Sequence, residues 1–187
     1  LNLGGIANIT HNVKENLTAF DICVANMALN EIALRAGVPY DDGGKMAAQG
    51  KVIEELLKKL NSNEYFLRSA PKSLGREWYE KNMLPLLDTN IYNHHDLLKT
   101  ICMHIGEQTG KAVKQFHGGS TDELLITGGG AFNKTLVECI RQNTNVNIVI
   151  PDDKTISYKE ALIFAFLGFL YIKNEININN KVTGSER

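Results

Sequence analysis

Apolar and polar residues fall into blocks with different periods along this chain. Residues 1–3 and 6–10 are short apolar runs split by Gly4-Gly5. That order reads as strand, tight glycine turn, strand. Residues 17–22, Leu-Thr-Ala-Phe-Asp-Ile, make a third strand after a polar turn at 11–16. Three strands in a row predict an antiparallel meander. The period then becomes helical. Met27, Leu29, Ile32, Ala33 and Ala36 share one face, so a helix is expected over 25–36, with Gly37 as its cap and Pro39 beyond it.

Residues 40–95 read as a mixed insertion. Val52, Ile53, Leu56, Leu57 and Leu60 predict a short helix over 51–60. Residues 69–76 are loop-like, and 90–95 read as a polar connection. A long helix is expected over 96–116, with Asp96 at its start and Gly118-Gly119 ending it. Residues 123–127 then form a strand ended by Gly128-Gly129-Gly130. Asn133 caps a helix to about residue 141, residues 146–150 are a strand, and 157–173 are the last helix. The tail after residue 173 is polar.

In order, this is βββα, an insertion, then αβαβα. Strands alternating with helices at the end imply parallel pairing, and the opening meander adds antiparallel strands. The fold class expected is α/β: a mixed five-stranded sheet flanked by helices. That order is the ribonuclease H-like half of the actin, Hsp70 and sugar-kinase superfamily, read here as an analogy of topology. The chain starts inside a strand and without Met, so it reads as a single lobe, residues 1–187, of a longer polypeptide.

Composition changes the picture little. The chain has 187 residues, 43% of them hydrophobic, and a formal charge of −1. That balance offers neither the basic face nucleic acid requires nor a polybasic membrane anchor. Cys23, Cys102 and Cys139 have no C-x-x-C spacing, which fits reduced thiols in the cytoplasm. The longest apolar run, 161–172, is too short to span a bilayer and is expected to be a buried core helix.

Two glycine turns carry the candidate chemistry. Asn2-Leu3-Gly4-Gly5-Ile6-Ala7-Asn8 either lets backbone N–H groups approach a phosphate or is a hairpin that needs positive φ. Thr127-Gly128-Gly129-Gly130-Ala131-Phe132-Asn133 ends a buried strand before a helix. With no side chains there, an adenosine can lie on the backbone at the strand's carboxyl end. The alternative is a turn rich in glycine. Neither matches G-x-G-x-x-G. The stretch from Gly44 to Lys51 is not a P-loop, because five residues separate its glycines and Val52 follows the lysine. The five histidines share no helix face or ligand spacing, so no metal site is expected. The acidic candidates are Asp21, Asp41, Asp42, Asp152, Asp153 and Glu160; Asp21 lies at a strand end and Glu160 in the first turn of the last helix. Glu160 equally suits the helix dipole.

Five segments together resemble the C-terminal part of the anhydro-N-acetylmuramic acid kinases. They are Leu1 to Ile9, Asp42 to Val52, Pro71-Lys-Ser-Leu-Gly-Arg-Glu77, Thr127 to Asn133, and Glu160 to Phe166. Val182-Thr-Gly-Ser185 is similar to the family's closing motif. The resemblance implies a two-lobed enzyme using ATP and Mg²⁺ to phosphorylate an amino sugar while water opens its anhydro bridge, in cell-wall recycling. It implies nucleotide contacts at Gly4, Gly5, Asn8, Gly128, Gly129, Gly130 and Asn133. Substrate contacts are implied at Asp21, Asn26 and Glu160. The partners implied are an N-terminal lobe upstream, carrying the general-base aspartate, and a second copy in a homodimer. One departure stands out. Where such kinases read Asp-Thr-Gly-Pro-Gly-Asn, this chain reads Asp21-Ile22-Cys23-Val24-Ala25-Asn26. That departure leaves room for a kinase of another sugar, or for a binding module of the same fold without catalysis.

Overall fold

The computed structural model describes residues 1–13, 16–116 and 122–177. The opening meander is present. Strands β1 (Asn2–Leu3), β2 (Ile6–Val13) and β3 (Asn16–Val24) pair antiparallel in that order. β2 and β3 run past the expected turn at 11–16, because His11 pairs with Thr18 and Val13 with Asn16. β3 also continues beyond Ile22, since Cys23 and Val24 pair with Ala7 and Ile6. Ile22, Cys23, Val24 and Ala25 are all buried. Cys23 and Val24 thus extend the strand into the core, and Ala25 leads directly into the next helix.

Helix α1 (Asn26–Arg35) follows. No side chain caps it. Its first N–H groups instead donate to the glycine turn: Asn26 N–H to Gly4 O (3.1 Å) and Met27 N–H to Gly5 O (3.1 Å). The insertion carries α2 (Lys45–Gln49), α3 (Glu54–Asn61) and α4 (Arg76–Asn82). It folds back onto the core through Leu56, Leu60, Tyr79 and Met83.

The long helix α5 (His94–Gln115) is the centre of the molecule. Its buried face includes Leu97, Leu98, Ile101, Cys102 and Ile105, none of them exposed to solvent. Burying each such side chain stabilises the fold by roughly 1.5–3 kcal/mol. The helix starts earlier than Asp96. Asn93 caps it by accepting from the Asp96 N–H at 2.9 Å, so His94 and His95 lie in its first turn rather than in a connection. Asp96 accepts from Lys51 N–H at 2.6 Å and ties the insertion to this end. That bond holds the Asp96 carboxyl below its usual range.

Strand β4 (Glu123–Leu125), a short 3₁₀ turn (Gly129–Phe132), α6 (Lys134–Asn143), β5 (Asn147–Val149) and α7 (Asp153–Ile172) complete the described chain. Asn133 caps α6 by accepting from Leu136 N–H at 2.9 Å. β4 and β5 pair in parallel, as the alternation of strands and helices predicts. The strands form one sheet of three and one of two, rather than a single regular five-stranded sheet. A parallel bridge between Asn2 and Thr127 joins them. Hydrogen bonds run from Leu3 N–H to Thr127 O (2.7 Å) and from Thr127 N–H to Leu1 O (2.9 Å).

The last helix departs most from expectation. It spans 20 residues, begins at Asp153 under an Asp152 cap, and buries only Ile156. Leu162, Phe164, Tyr171 and Ile172 are each at least 70% exposed. The run 161–172 is therefore not a core helix among the described residues. Apolar groups surround the helix on all sides, while it packs mainly on the Gly129–Phe132 turn. By length and composition alone it is long and apolar enough to cross a membrane. The expected terminator Gly118-Gly119, His117 and the motif Val182 to Ser185 lie outside the described residues.

Candidate nucleotide site

The three glycines after β4 occupy unlike surroundings. A Cβ on Gly128 would lie 2.8 Å from the Leu3 carbonyl carbon, and its φ is +83°. A Cβ on Gly130 would lie 2.6 Å from Leu3 Cβ. Both positions let the turn press against β1, so glycine there serves packing. Gly129 is exposed, and its nearest neighbour would be Asn26 Nδ2 at 3.6 Å. Only at Gly129 does the missing side chain leave backbone open to a guest.

That backbone forms one wall of a cavity of about 460 Å³, within the size range of small-molecule sites. Asn26 and Leu29 of α1, Asn133, and the loop Tyr40-Asp41-Asp42-Gly43 complete it, with Phe132 at its rim. Each wall is held from behind. Asn26 Nδ2 donates to Leu3 O at 2.9 Å. Asp41 is buried and accepts from Met46 and Ala47 N–H at 2.8 and 2.9 Å, which caps α2. Thr135 Oγ1 donates to Gly44 O at 2.7 Å and joins the loop to α6. Asp42 pairs with Lys45 at 2.5 Å, and that contact lowers the Asp42 pKa. Tyr40 and Phe132 present exposed rings beside the open backbone. They offer flat apolar faces of the kind a purine stacks on.

The structure thus brings together Asn26, Gly129, Gly130 and Asn133 in one cavity. The remaining candidates lie elsewhere. Gly4 and Gly5 have no positive φ, and their carbonyls are taken by the α1 N–H groups. The turn therefore seats α1. Asn133 uses its side-chain oxygen as the α6 cap. Asp21 accepts from Leu74 N–H at 2.9 Å, and its carbonyl accepts from Tyr65 Oη–H at 2.6 Å. It anchors the segment around Pro71 to Arg76 against β3. Asn8 and Glu160 line a second cavity, between β2, β4 and α7.

Two side chains of the surroundings, Tyr40 and Lys159, were not picked out from the sequence. Tyr40 reaches the cavity with the Asp41–Gly43 loop of the insertion, whose Asp41 and Asp42 were among the acidic candidates. The Asp-Gly-Gly-Lys run was visible, but its placement depends on Asn133 and Thr135, nearly a hundred residues away. Lys159 donates to Asn2 Oδ1 (2.7 Å) and Thr127 Oγ1 (2.6 Å), pinning α7 to the joint between the two sheets. Burial lowers its pKa. Among the described residues no cluster of His, Cys, Asp or Glu could hold a metal ion.

The architecture has a clear relative. The activator of the 2-hydroxyisocaproyl-CoA dehydratase from Clostridium difficile, solved with bound ADPNP, superposes over 95% of this chain and 63% of its own with a TM-score of 0.54 at 19% identity. The likeness places the chain in the actin-like ATPase fold class. The family profile for anhydro-N-acetylmuramic acid kinase matches residues 1–187, and the chain belongs to that family. Kinases of this name from Caldanaerobacter subterraneus and Vibrio vulnificus are both 33% identical to it, over 99% and 100% of this chain. One from Francisella tularensis is 31% identical over 99%. The chain spans about half the length of these relatives: 51%, 52% and 51%.

Proposed function

We propose that this chain is the nucleotide-side, C-terminal half of an ATP-dependent kinase for anhydro-N-acetylmuramic acid, working in the cytoplasm. The observation that carries the reading is the cavity around Gly129, where open backbone faces two exposed aromatic rings. ATP fits this donor set: adenine on the rings of Tyr40 and Phe132, ribose beside Asn26, and phosphates toward the β1 side of the glycine turn. The Mg²⁺ that accompanies ATP in such kinases neutralises charge on the phosphates. Its protein ligands and the general-base aspartate belong on this reading to the other lobe, which also covers α7. Glu160 faces that lobe and meets the sugar, and Asp21 shapes the sugar side through the segment it anchors. The ladder from Leu3 through Thr127 supports one five-stranded mixed sheet in the order β3-β2-β1-β4-β5. In solution the whole kinase is a homodimer on this reading.

The test compares two polypeptides, this chain and one extended upstream of Leu1 to the length of the relatives. Each is incubated with Mg-ATP and the anhydro sugar, and the sugar's mass is followed. Addition of water and a phosphoryl group by the long form alone is the expected result. A folded, ATP-binding long form that leaves the sugar unchanged overturns the substrate assignment, and a panel of other sugars then locates the true one. The cavity itself is tested by Gly129→Val. This substitution should weaken nucleotide binding about tenfold or more while the melting temperature holds, since nothing lies within ordinary contact of its Cβ except Asn26. An unchanged affinity in the folded variant removes ATP from this cavity.

A further inference from the structure

A cavity of about 290 Å³ lies between α3, α4, α5 and the short turn Glu64–Leu67. It shares no residue with the cavity around Gly129. Its volume is at the lower end of the range for small-molecule sites and suits a guest of a single ring. The apolar pattern that folds these helices also builds its lining. Leu60, on the apolar face of α3, and Met83, just beyond α4, are buried beside it. Phe66, Trp78 and Leu86 are half-buried and complete the apolar part. The Phe66 ring stands edge-on to Trp78, with centroids 6.1 Å apart at 77°. It also stands edge-on to His104, with centroids 5.2 Å apart at 70°. Aromatic pairs favour this arrangement, and a further ring can join it in the same way.

Most polar groups around the cavity are already engaged. Asn63 Oδ1 accepts from Tyr65 N–H at 2.9 Å, and Asn82 Nδ2 donates to Trp78 O at 2.9 Å. Lys59 pairs with Glu55 at 2.6 Å. His104 differs. Its ring is 1% exposed, yet it lines the cavity. Asn61 Oδ1 lies 2.7 Å from Nδ1, so Nδ1 carries the proton and Nε2 a bare lone pair. Burial keeps the ring neutral by lowering its pKa to about 3. Among the described residues no group donates to Nε2. Nor is this atom sealed into the core, because the buried side-chain atoms without a partner among the described residues are Tyr79 Oη and Thr109 Oγ1. Nε2 therefore opens on the cavity, as an acceptor that lacks a donor.

We propose that this cavity binds a neutral single-ring molecule of the phenol class, whose one hydroxyl or ring N–H donates to His104 Nε2 while its ring packs against Phe66 and Trp78. Other chemistries fit less well. A carboxylate or phosphate brings only acceptors to an acceptor nitrogen, and the one cation of the lining, Lys59, is held by Glu55. An ammonium ion meets Lys59 and no carboxylate of the lining. A hydrocarbon of the same shape fills the space but leaves Nε2 without its donor. The inference does not depend on the kinase reading, since it uses neither the nucleotide cavity nor any second lobe.

Trp78 is the single tryptophan of the chain, so its fluorescence reports on the cavity directly. Phenol, toluene and benzoate are titrated separately into the 187-residue chain, with excitation at the red edge where phenol does not absorb. Phenol should give a saturable change in Trp78 emission. Toluene, with a methyl in place of the hydroxyl, should bind about tenfold more weakly, and benzoate should give no saturable change. Leu86→Phe narrows the cavity and should weaken phenol binding about tenfold or more. A change that is linear in phenol, without saturation, in a chain that melts cooperatively overturns the proposal. Equal affinity for phenol and toluene removes Nε2 from recognition, and tighter binding of benzoate than of phenol overturns the choice of a neutral guest. Unaltered phenol affinity in a folded Leu86→Phe protein places the guest outside this cavity. The ligand comparisons need no variant, so they decide the matter even where Leu86→Phe fails to fold.

Discussion

His104 shows how one buried residue ties stability to pH. Its ring is 1% exposed, on the inner face of α5. Nδ1 lies 2.7 Å from Asn61 Oδ1, which also accepts from Gln108 Nε2 at 2.6 Å. An oxygen at that place makes Nδ1 the protonated nitrogen of a neutral ring. Burial, with Lys111 adding a little, lowers the pKa from 6.5 to about 3. Below pH 6.5 the unfolded chain takes up a proton that the folded chain refuses, so stability falls as pH falls through this window and is full above it. Urea unfolding at pH 7 and pH 5 should show a loss of about 2 kcal/mol from this residue. In His104→Gln that part of the loss should vanish. An identical pH dependence in the two proteins would mean that the ring is charged or exposed in the fold. The sequence places His104 on a helix face, but it could not show which face is buried. That depends on Asn61 of α3 and on Phe66, whose ring centroid lies 5.2 Å from the imidazole. The glycines behave similarly. Thr127 to Asn133 stands out in the sequence as a ligand turn, yet only the packing of Leu3 shows that Gly128 and Gly130 serve the fold and that Gly129 is open.

At the scale of elements, the periodic segments were legible because their burial is one-sided. The meander, α1, α3, α6 and the parallel β4–β5 pair all follow from period and turn chemistry. What misled was local competition for element ends. Asp96 resembles a cap, but Asn93 stands three residues earlier and takes the role, which moves His94 and His95 into the helix. The apolar run of the third strand was read as ending at Ile22, whereas the buried side chains of Cys23 and Val24 prolong β3. A second feature was overlooked because glycine within a helix reads as a defect. On α5, a Cβ at Gly106 would come 2.6 Å from Cys139 O, and one at Gly110 would come 2.2 Å from Asn143 O. The pair, one turn apart, lets the α6 backbone lie directly against α5. Gly110→Ala gains helix propensity of roughly 1 kcal/mol but drives the methyl into a backbone carbonyl. The net effect should be a loss of about 1–3 kcal/mol in urea unfolding, with the helix content of the folded state unchanged by circular dichroism. A stabilised Gly110→Ala protein would show that α5 and α6 stand further apart.

The whole molecule has one surface that its own described residues do not complete. In a compact chain, 161–172 has every mark of a core helix, and composition alone cannot tell a core supplied by the same lobe from one supplied by another. Here α7 leaves Leu162, Phe164, Phe166 and Phe169 more than half exposed, with Tyr171 and Ile172 beyond them. Large apolar side chains exposed together along one helix point to a surface that is covered by something else. Its attachment is polar and local: Lys159 bonds Asn2 and Thr127, and Ile156 alone is buried. On the kinase reading the other lobe covers this helix, so the isolated chain should behave unlike the longer one. Sedimentation of the 187-residue chain should show concentration-dependent self-association and strong binding of a hydrophobic dye, both much reduced in the extended polypeptide. Replacing Leu162, Phe166 and Phe169 by serine should restore a monomer. It should leave the melting temperature of the remainder almost unchanged, because none of the three contributes to the buried core. A fall of many degrees in that variant would mean that α7 packs inside this lobe after all, as its hydropathy first implied, and the covering lobe would then have to dock elsewhere.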